Sequence, residues 1–287
     1  MNDKGKLYIC GTPIGNLDDM TFRALEILKK VEIIAAEDTR RTAGLLNHFD
    51  IDTSLTSYHE HNEQQKSEKL IKKLIEGKNI ALVSDAGMPG ISDPGSILIN
   101  KAIDNNIDVI PIPGPTAVIS ALVVSGFSMD RFTFEGFIPR KGKEREEFIN
   151  RIWEEKRTVI FYESPYRLKE TLKELATLKE KREVTIVREI SKIHEEKIYG
   201  TLEDVIQKLE DREIKGEIVV VLDGREVIEA EKEGWEHLSI KEHVELLMEN
   251  GYTKKKAIKK VAKLRNLQKR KVYKEAIPIQ RSEQSDD

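Results

Sequence analysis

Residues 79–95 read NIALVSDAGMPGISDPG, an apolar run, Ile80 to Val83, that breaks into a loop with three glycines, two prolines and two aspartates. A short continuous apolar run bounded by turn residues reads as a strand buried on both faces. The glycines let backbone approach a neighbour or a ligand with no Cβ in the way. The loop is therefore either a tight strand-to-helix connection or part of a binding site.

The same grammar recurs three times. LYIC (7–10) runs into Gly11-Thr12-Pro13-Ile14-Gly15-Asn16, EIIAA (32–36) into Glu37-Asp38-Thr39-Arg40-Arg41, and DVIPI (108–112) into Pro113-Gly114-Pro115-Thr116-Ala117. Between them, residues 21–31 place Phe22, Leu25 and Leu28 on one helical face, and residues 67–77 do so with Leu70, Ile71, Leu74 and Ile75. Strands alternating with helices predict an α/β fold with a largely parallel sheet covered on both faces. Ligands in such sheets settle at the carboxyl ends of the strands. One such loop would be read as a connection; four on one edge predict a site. Neither GxxxxGK[ST] nor GxGxxG occurs, so a P-loop and a dinucleotide fingerprint are not expected.

Within the opening loop, Asp93 stands before Pro94 and a helical pattern, which reads as an N-cap with proline at N1. Residues 92–95 are thus architecture, and residues 84–90 the ligand half. Asp85, at the strand tip, is either a turn aspartate or a carboxylate for ligand hydroxyl or ammonium groups. SYHEHN (57–62) sets His59 and His61 on one face if it is a strand, with Glu60 opposite. No third ligand at metal-site spacing accompanies them, so polar substrate contacts are expected and a metal is not.

A second α/β unit is predicted from about residue 126. The aromatic strand and loop RFTFEGFIPRKGKER (131–145) precede TVIFYE (158–163), a helix at 166–178, EVTIVREI (183–190), a helix at 202–209 and EIVVVLD (217–223), with strands of mixed direction. Glu163, Arg188, Glu189 and Lys192 either line a cleft between the units or pair with each other. The expected organisation is residues 1–125, 126–224, a linker at 225–238, a helical module at 239–276 and a disordered tail at 277–287.

Charge is distributed unevenly. The 287 residues carry a net −3, yet Ser239 to Glu275 hold twelve Lys/Arg against four Asp/Glu. Three short helical patterns there, at 240–249, from Thr253 onward and at 267–276, resemble a helix-turn-helix unit decorated by Lys254, Lys255, Lys259, Lys263, Lys269, Arg270 and Lys271. An acidic body with a compact basic module suggests a polyanionic partner. A single cysteine, Cys10, and an N-terminus without an apolar signal core predict a soluble cytoplasmic protein.

The set GTPIGN, AEDTRRT, SYHEHN, SDAGMPGISDPG and PIPGPTAVISAL, continuing through EGFIPRKGKER, FYESPYRL, VREISKIHEE and GEIVVVLDG, resembles the tetrapyrrole-methylase family of S-adenosylmethionine-dependent methyltransferases, most closely its members that act on small-subunit ribosomal RNA. The resemblance spans nearly the whole chain. It implies two α/β domains with S-adenosyl-L-methionine folded in the cleft between them, a homodimer, and 2′-O-methylation of a decoding-region cytidine of 16S rRNA. By motif it implies cofactor contacts at Pro13, Asp85, Met88, Thr116, Ala117, Tyr162, Gly216, Glu217 and Ile218. The family loop reads SDAGTP, and Met88 stands at its threonine.

A ribose hydroxyl is a poor nucleophile and needs a base; on this reading Glu60, His59, Asp38 and Glu189 are candidates. Arg40, Arg140, Lys141 and Arg188 would hold phosphates, with Lys255, Lys259, Lys263 and Arg270 on the module. The rival expectations are a small-molecule tetrapyrrole methylase and a non-catalytic RNA-binding assembly factor.

Overall fold

A computed structural model describes residues 4–178, 181–224, 235, 237–250, 252–265 and 267–277. The predicted linker therefore falls largely, and the tail almost wholly, outside the described residues. The chain divides into two compact units, residues 1–225 and 226–287.

In the first unit, five strands pair in the order β3-β2-β4-β1-β5, every pair parallel. They are β1 (Leu7–Cys10), β2 (Ile33–Ala36), β3 (Leu55–Ser57), β4 (Ile80–Val83) and β5 (Val109–Ile112). All four residues of β2 and of β4 are buried because helices cover both faces. Leu7, Ile9, Ile80 and Leu82 pack under α3 (Glu63–Ile75) and α4 (Ser96–Asp104). Cys10, Ile34, Ala81 and Val83 pack under α1 (Phe22–Lys30) and α2 (Thr39–His48).

A second sheet in the same unit has the order β6-β7-β10-β8-β9, with β6 and β7 parallel and the other pairs antiparallel. Its strands are β6 (Phe132–Phe137), β7 (Thr158–Glu163), β8 (Glu183–Arg188), β9 (Glu196–Thr201) and β10 (Ile218–Leu222). The period of two along β10 divides its core. Ile218, Val220 and Leu222 face α6 (Lys143–Glu154), α7 (Leu168–Ala176) and α8 (Leu202–Leu209). Val219 and Val221 face Val118, Ala121 and Leu122 of α5 (Ala117–Ser125). Helix α5 follows the first sheet in sequence but packs on the second.

The structure corrects several local expectations. Helix α1 buries Ala24 and Leu28 and leaves Phe22, at its first turn, almost wholly exposed. Helix α3 starts at Glu63, not 67. Strand β3 ends at Ser57, so His59 and His61 lie in a turn, where Asn62 Oδ1 accepts from the His59 N–H. Helix α4 starts at Ser96 behind Gly95, whose φ of 156° and lack of a side-chain cap leave no capping role for Asp93. Pro94 is followed by Gly95, and the helix begins only at Ser96.

The second unit holds α9 (Ile240–Glu249), α10 (Lys254–Leu264) and α11 (Lys269–Ala276). Ser239 and Glu242 form a capping box at the start of α9. Val244, Leu247, Ala257, Ile258, Val261 and Val272 make the core. His243 stacks on Trp235 at 4.8 Å, and Arg265 Nε donates to its Nδ1 at 3.1 Å. Burial and the nearby Arg265 and Lys260 charges hold the His243 pKa down at about 4, so it is a neutral core residue. Lys255, Lys259, Lys269, Arg270 and Lys271 are exposed; the Lys263 side chain lies outside the described ones.

Candidate active site

The carboxyl ends of β1, β2, β4 and β5 meet. Thr12 and Gly87 exchange backbone hydrogen bonds of 2.9 and 3.0 Å, joining the loops after β1 and β4. A Cβ on Gly114 would lie 2.9 Å from the Gly11 Cα, so the loops after β1 and β5 touch backbone to backbone. Asp38 donates its N–H to Asp85 Oδ1 at 3.1 Å, tying in the loop after β2.

Three of these loops wall a cavity of about 540 Å³, within the usual range for small-ligand sites. Ile14 comes from the first, Gly87, Met88 and Asp93 from the second, and Thr116 with the first turn of α5 from the third. Thr116 caps α5, its hydroxyl accepting from Ile119 N–H at 3.2 Å. The opposite wall belongs to the second sheet: Phe132, Phe134 and Phe137 of β6, Tyr162 of β7, and Gly216 to Val219. Phe134 and Phe137 each lie 5.1 Å from the Tyr162 ring. Ser92, Glu189 and Ser191 hold positive φ of 62°, 53° and 65° next to the wall residues Asp93 and Ile190, a strain that packing must hold in place.

Of the nine positions matched to cofactor contacts, Met88, Thr116, Ala117, Tyr162, Gly216, Glu217 and Ile218 line this cavity; Pro13 and Asp85 do not. Asp85 is taken up by Asp38 N–H and by Arg41, at 3.1 Å. Asp93, read as a helix cap, is on the wall. Its pKa is pushed up to about 6, first by burial and then by the negative Glu37 and Asp85.

None of the four candidate bases lines the cavity. Asp38 caps α2 and chelates Arg40 at 2.8 Å. Glu189 pairs with Lys192 at 2.8 Å and accepts from Glu217 N–H. His59 Nε2 meets the Asn62 amide at 3.0 Å, while its Nδ1 is buried with no partner among the described residues. Glu60 sits in the same turn. Glu163, wholly buried, binds Arg167 at 2.7 Å, Thr171 Oγ1 at 2.7 Å and Ser164 N–H at 2.6 Å.

Arg188 is occupied by Glu196 and the Lys215 carbonyl, whereas Arg140 and Lys141 are exposed on the loop after β6. Cys10 is buried beneath the site, its pKa pushed up to about 12 by desolvation, so it is an inert thiol. Among the described residues there is no group of three metal-ligating side chains and no helix long and apolar enough to cross a membrane.

A sequence model of the Tetrapyrrole (Corrin/Porphyrin) Methylases matches residues 6–206. The chain belongs to the tetrapyrrole methylase family. Among its methylase relatives, the ribosomal RNA small subunit methyltransferase I of Halalkalibacterium halodurans is 50% identical over 273 residues, covering 95% of this chain and 94% of that one. The Bacillus subtilis protein of the same name is 47% identical over 274 residues, with the same coverage. Solved methylases share the fold at lower identity. A cobalt precorrin-4 methyltransferase gives a TM-score of 0.56 at 19% identity, over 76% of this chain and 94% of that one. Uroporphyrin-III C-methyltransferase from Thermus thermophilus, complexed with S-adenyl homocysteine, gives 0.54 at 15%, over 76% and 97%.

Met88 is half-buried, packs on the first sheet's core and lines the cavity. A threonine at this position removes thioether packing without touching the loop backbone. Met88→Thr is expected to cost about 1–2 kcal/mol of stability in denaturant unfolding.

Proposed function

We propose that this chain transfers a methyl group from S-adenosyl-L-methionine to the ribose 2′-hydroxyl of a decoding-centre cytidine in 16S rRNA. The observation that carries this reading is coverage. Small-molecule methylases of the fold align with only about three quarters of the chain while spending nearly all of their own length. The rRNA methyltransferase relatives align with 95% of it, a span that must include most of the basic second unit. A porphyrinoid substrate has no use for such a unit; a polyanion does.

The cavity suits the donor. Phe134 and Tyr162 offer aromatic faces for an adenine, and the N-terminus of α5 offers free backbone N–H groups for a carboxylate. Bound there, S-adenosylmethionine supplies a methyl group activated by its sulfonium. The two walls orient the two reactants, the main source of rate in an in-line displacement. Arg140 and Lys141 would contact phosphates near the site, and a nucleotide turned out of its stack would enter. Arg188, held by its own partners, is withdrawn from that role. A cytoplasmic location and a homodimer belong to the same reading; Val123 and Val124, exposed on α5, offer apolar surface to a second copy.

The test is mass mapping of 16S rRNA in small subunits incubated with the protein and S-adenosylmethionine. One added methyl on a decoding-centre ribose is expected, and none would refute the reading. Converting Lys255, Lys259 and Arg270 together to Gln should weaken RNA binding and lower the salt slope of log K by about 2–3. An unchanged slope would remove the second unit from the RNA interface.

A further inference from the structure

We infer that Asp93 is the carboxylate that accepts the proton of the attacking ribose hydroxyl, an inference that rests on the function proposed above. Three carboxylates line the cavity: Asp93, Glu163 and Glu217. Both oxygens of Glu163 are already taken, by Arg167 and Ser164 on one side and Thr171 on the other. Glu217 points largely to solvent, 73% exposed, and pairs with Lys192 at 3.1 Å. Asp93 is half-buried and has no salt-bridge partner among the described residues. It alone of the three keeps acceptor capacity inside the cavity.

The groups around Asp93 suit a proton acceptor. Glu37 and Asp85 face it from the loops after β2 and β4, and Tyr162 faces it from β7. Arg41 is pinned on Asp85 at 3.1 Å. Burial and these negative neighbours hold the Asp93 pKa at about 6. The group is then ionised at neutral pH yet more basic than an ordinary carboxylate, the compromise that general-base catalysis favours. The step balances. The hydroxyl proton passes to a carboxylate oxygen of Asp93 as the O–CH₃ bond forms and the CH₃–S bond breaks, its electron pair remaining on sulfur. Asp93 ends as a neutral acid and the donor as a neutral thioether.

The test compares wild type, Asp93→Asn and Asp93→Glu on purified small subunits across pH, alongside calorimetric titration of each with S-adenosylhomocysteine. Wild-type kcat should climb as pH rises through about 6, because only the ionised carboxylate can take the proton. Asp93→Asn should lose about 10²–10⁴-fold in kcat together with that acid limb, and Asp93→Glu should recover part of both. S-adenosylhomocysteine affinity should stay within about threefold, showing that the loss is in chemistry and not in donor binding. Retention of kcat and of the acid limb in Asp93→Asn overturns the inference. So does a tenfold or greater loss of S-adenosylhomocysteine affinity with kcat at saturation kept (about 1.4 kcal/mol), which would make Asp93 a countercharge for the donor's ammonium. A wild type that transfers no methyl to small-subunit RNA refutes the proposed function, and the inference falls with it.

Discussion

Glu163→Ala is expected to lower the unfolding free energy of the protein by about 3–5 kcal/mol, because it strands a half-buried cation and empties a fully buried carboxylate site. The Glu163 side chain is fully buried at the end of β7, and Arg167, 23% exposed, reaches it at 2.7 Å. Thr171 Oγ1 donates to Glu163 and accepts from Arg145 Nη2, which ties α6 into the same network. Arg145 and Arg167 also donate to the Pro139 and Ile138 carbonyls, fixing the loop that follows β6. Removing the carboxylate leaves Arg167 in a site built for a pair and frees two donors, Thr171 Oγ1 and Ser164 N–H. Glu163→Gln keeps the shape and part of the bonding, so its loss should be smaller, about 1–3 kcal/mol. Urea unfolding of the three proteins measures both values. A loss below about 1 kcal/mol for alanine would mean that Arg167 escapes to solvent and that the network is dispensable.

Gly114→Ala is expected to cost about 1–3 kcal/mol of stability and at least tenfold in S-adenosylhomocysteine affinity (about 1.4 kcal/mol). The added Cβ would meet the Gly11 Cα at 2.9 Å and its carbonyl carbon at 3.1 Å, both main-chain atoms that no rotamer change can move. The loops after β1 and β5 must part, and they carry Ile14 and Thr116 of the cavity wall. Gly11→Ala attacks the same contact from the other side, its Cβ 2.8 Å from the Gly114 Cα. The two substitutions share one clash, so the double variant should lose less than the sum of the singles. Calorimetry and unfolding of all three check this. Wild-type affinity in Gly114→Ala would show that the loops can separate without deforming the cavity.

The buried parallel strands were legible in the sequence because they are short apolar runs stopped by Gly and Pro, and their positions match within a residue. Other elements carried weaker patterns. Strand β9, EKIYGT, is an edge strand whose charges hide its alternation, and α6 follows a Pro/Gly/Lys loop from which its stripe of Phe148, Ile149, Ile152 and Trp153 was not separated. The site was legible as a set of loops more than as a set of roles. Asp93 and Asp85 both sit in one motif, and Asp-Pro resembles a helix start; only the φ of Gly95 shows that the chain is not yet helical there. The candidate bases lie near strand tips, but side-chain direction is decided by partners such as Arg40 and Lys192 that pattern does not reveal.

Helix α5 starts at the cavity from a loop pressed against β1, then lays Val118, Ala121 and Leu122 across the face of the second sheet. Thr185 Oγ1 and Tyr199 OH donate to its last carbonyls, Ser125 and Val124. Each half of the unit thus owns what the other requires. A gene fragment ending near residue 126 would encode a greasy helix with nothing to cover, and the complementary fragment would encode a sheet with one bare side. The two halves look like interchangeable cassettes in sequence, but they can only be inherited together, and any recombination that exchanges one sheet must bring a matching α5 with it.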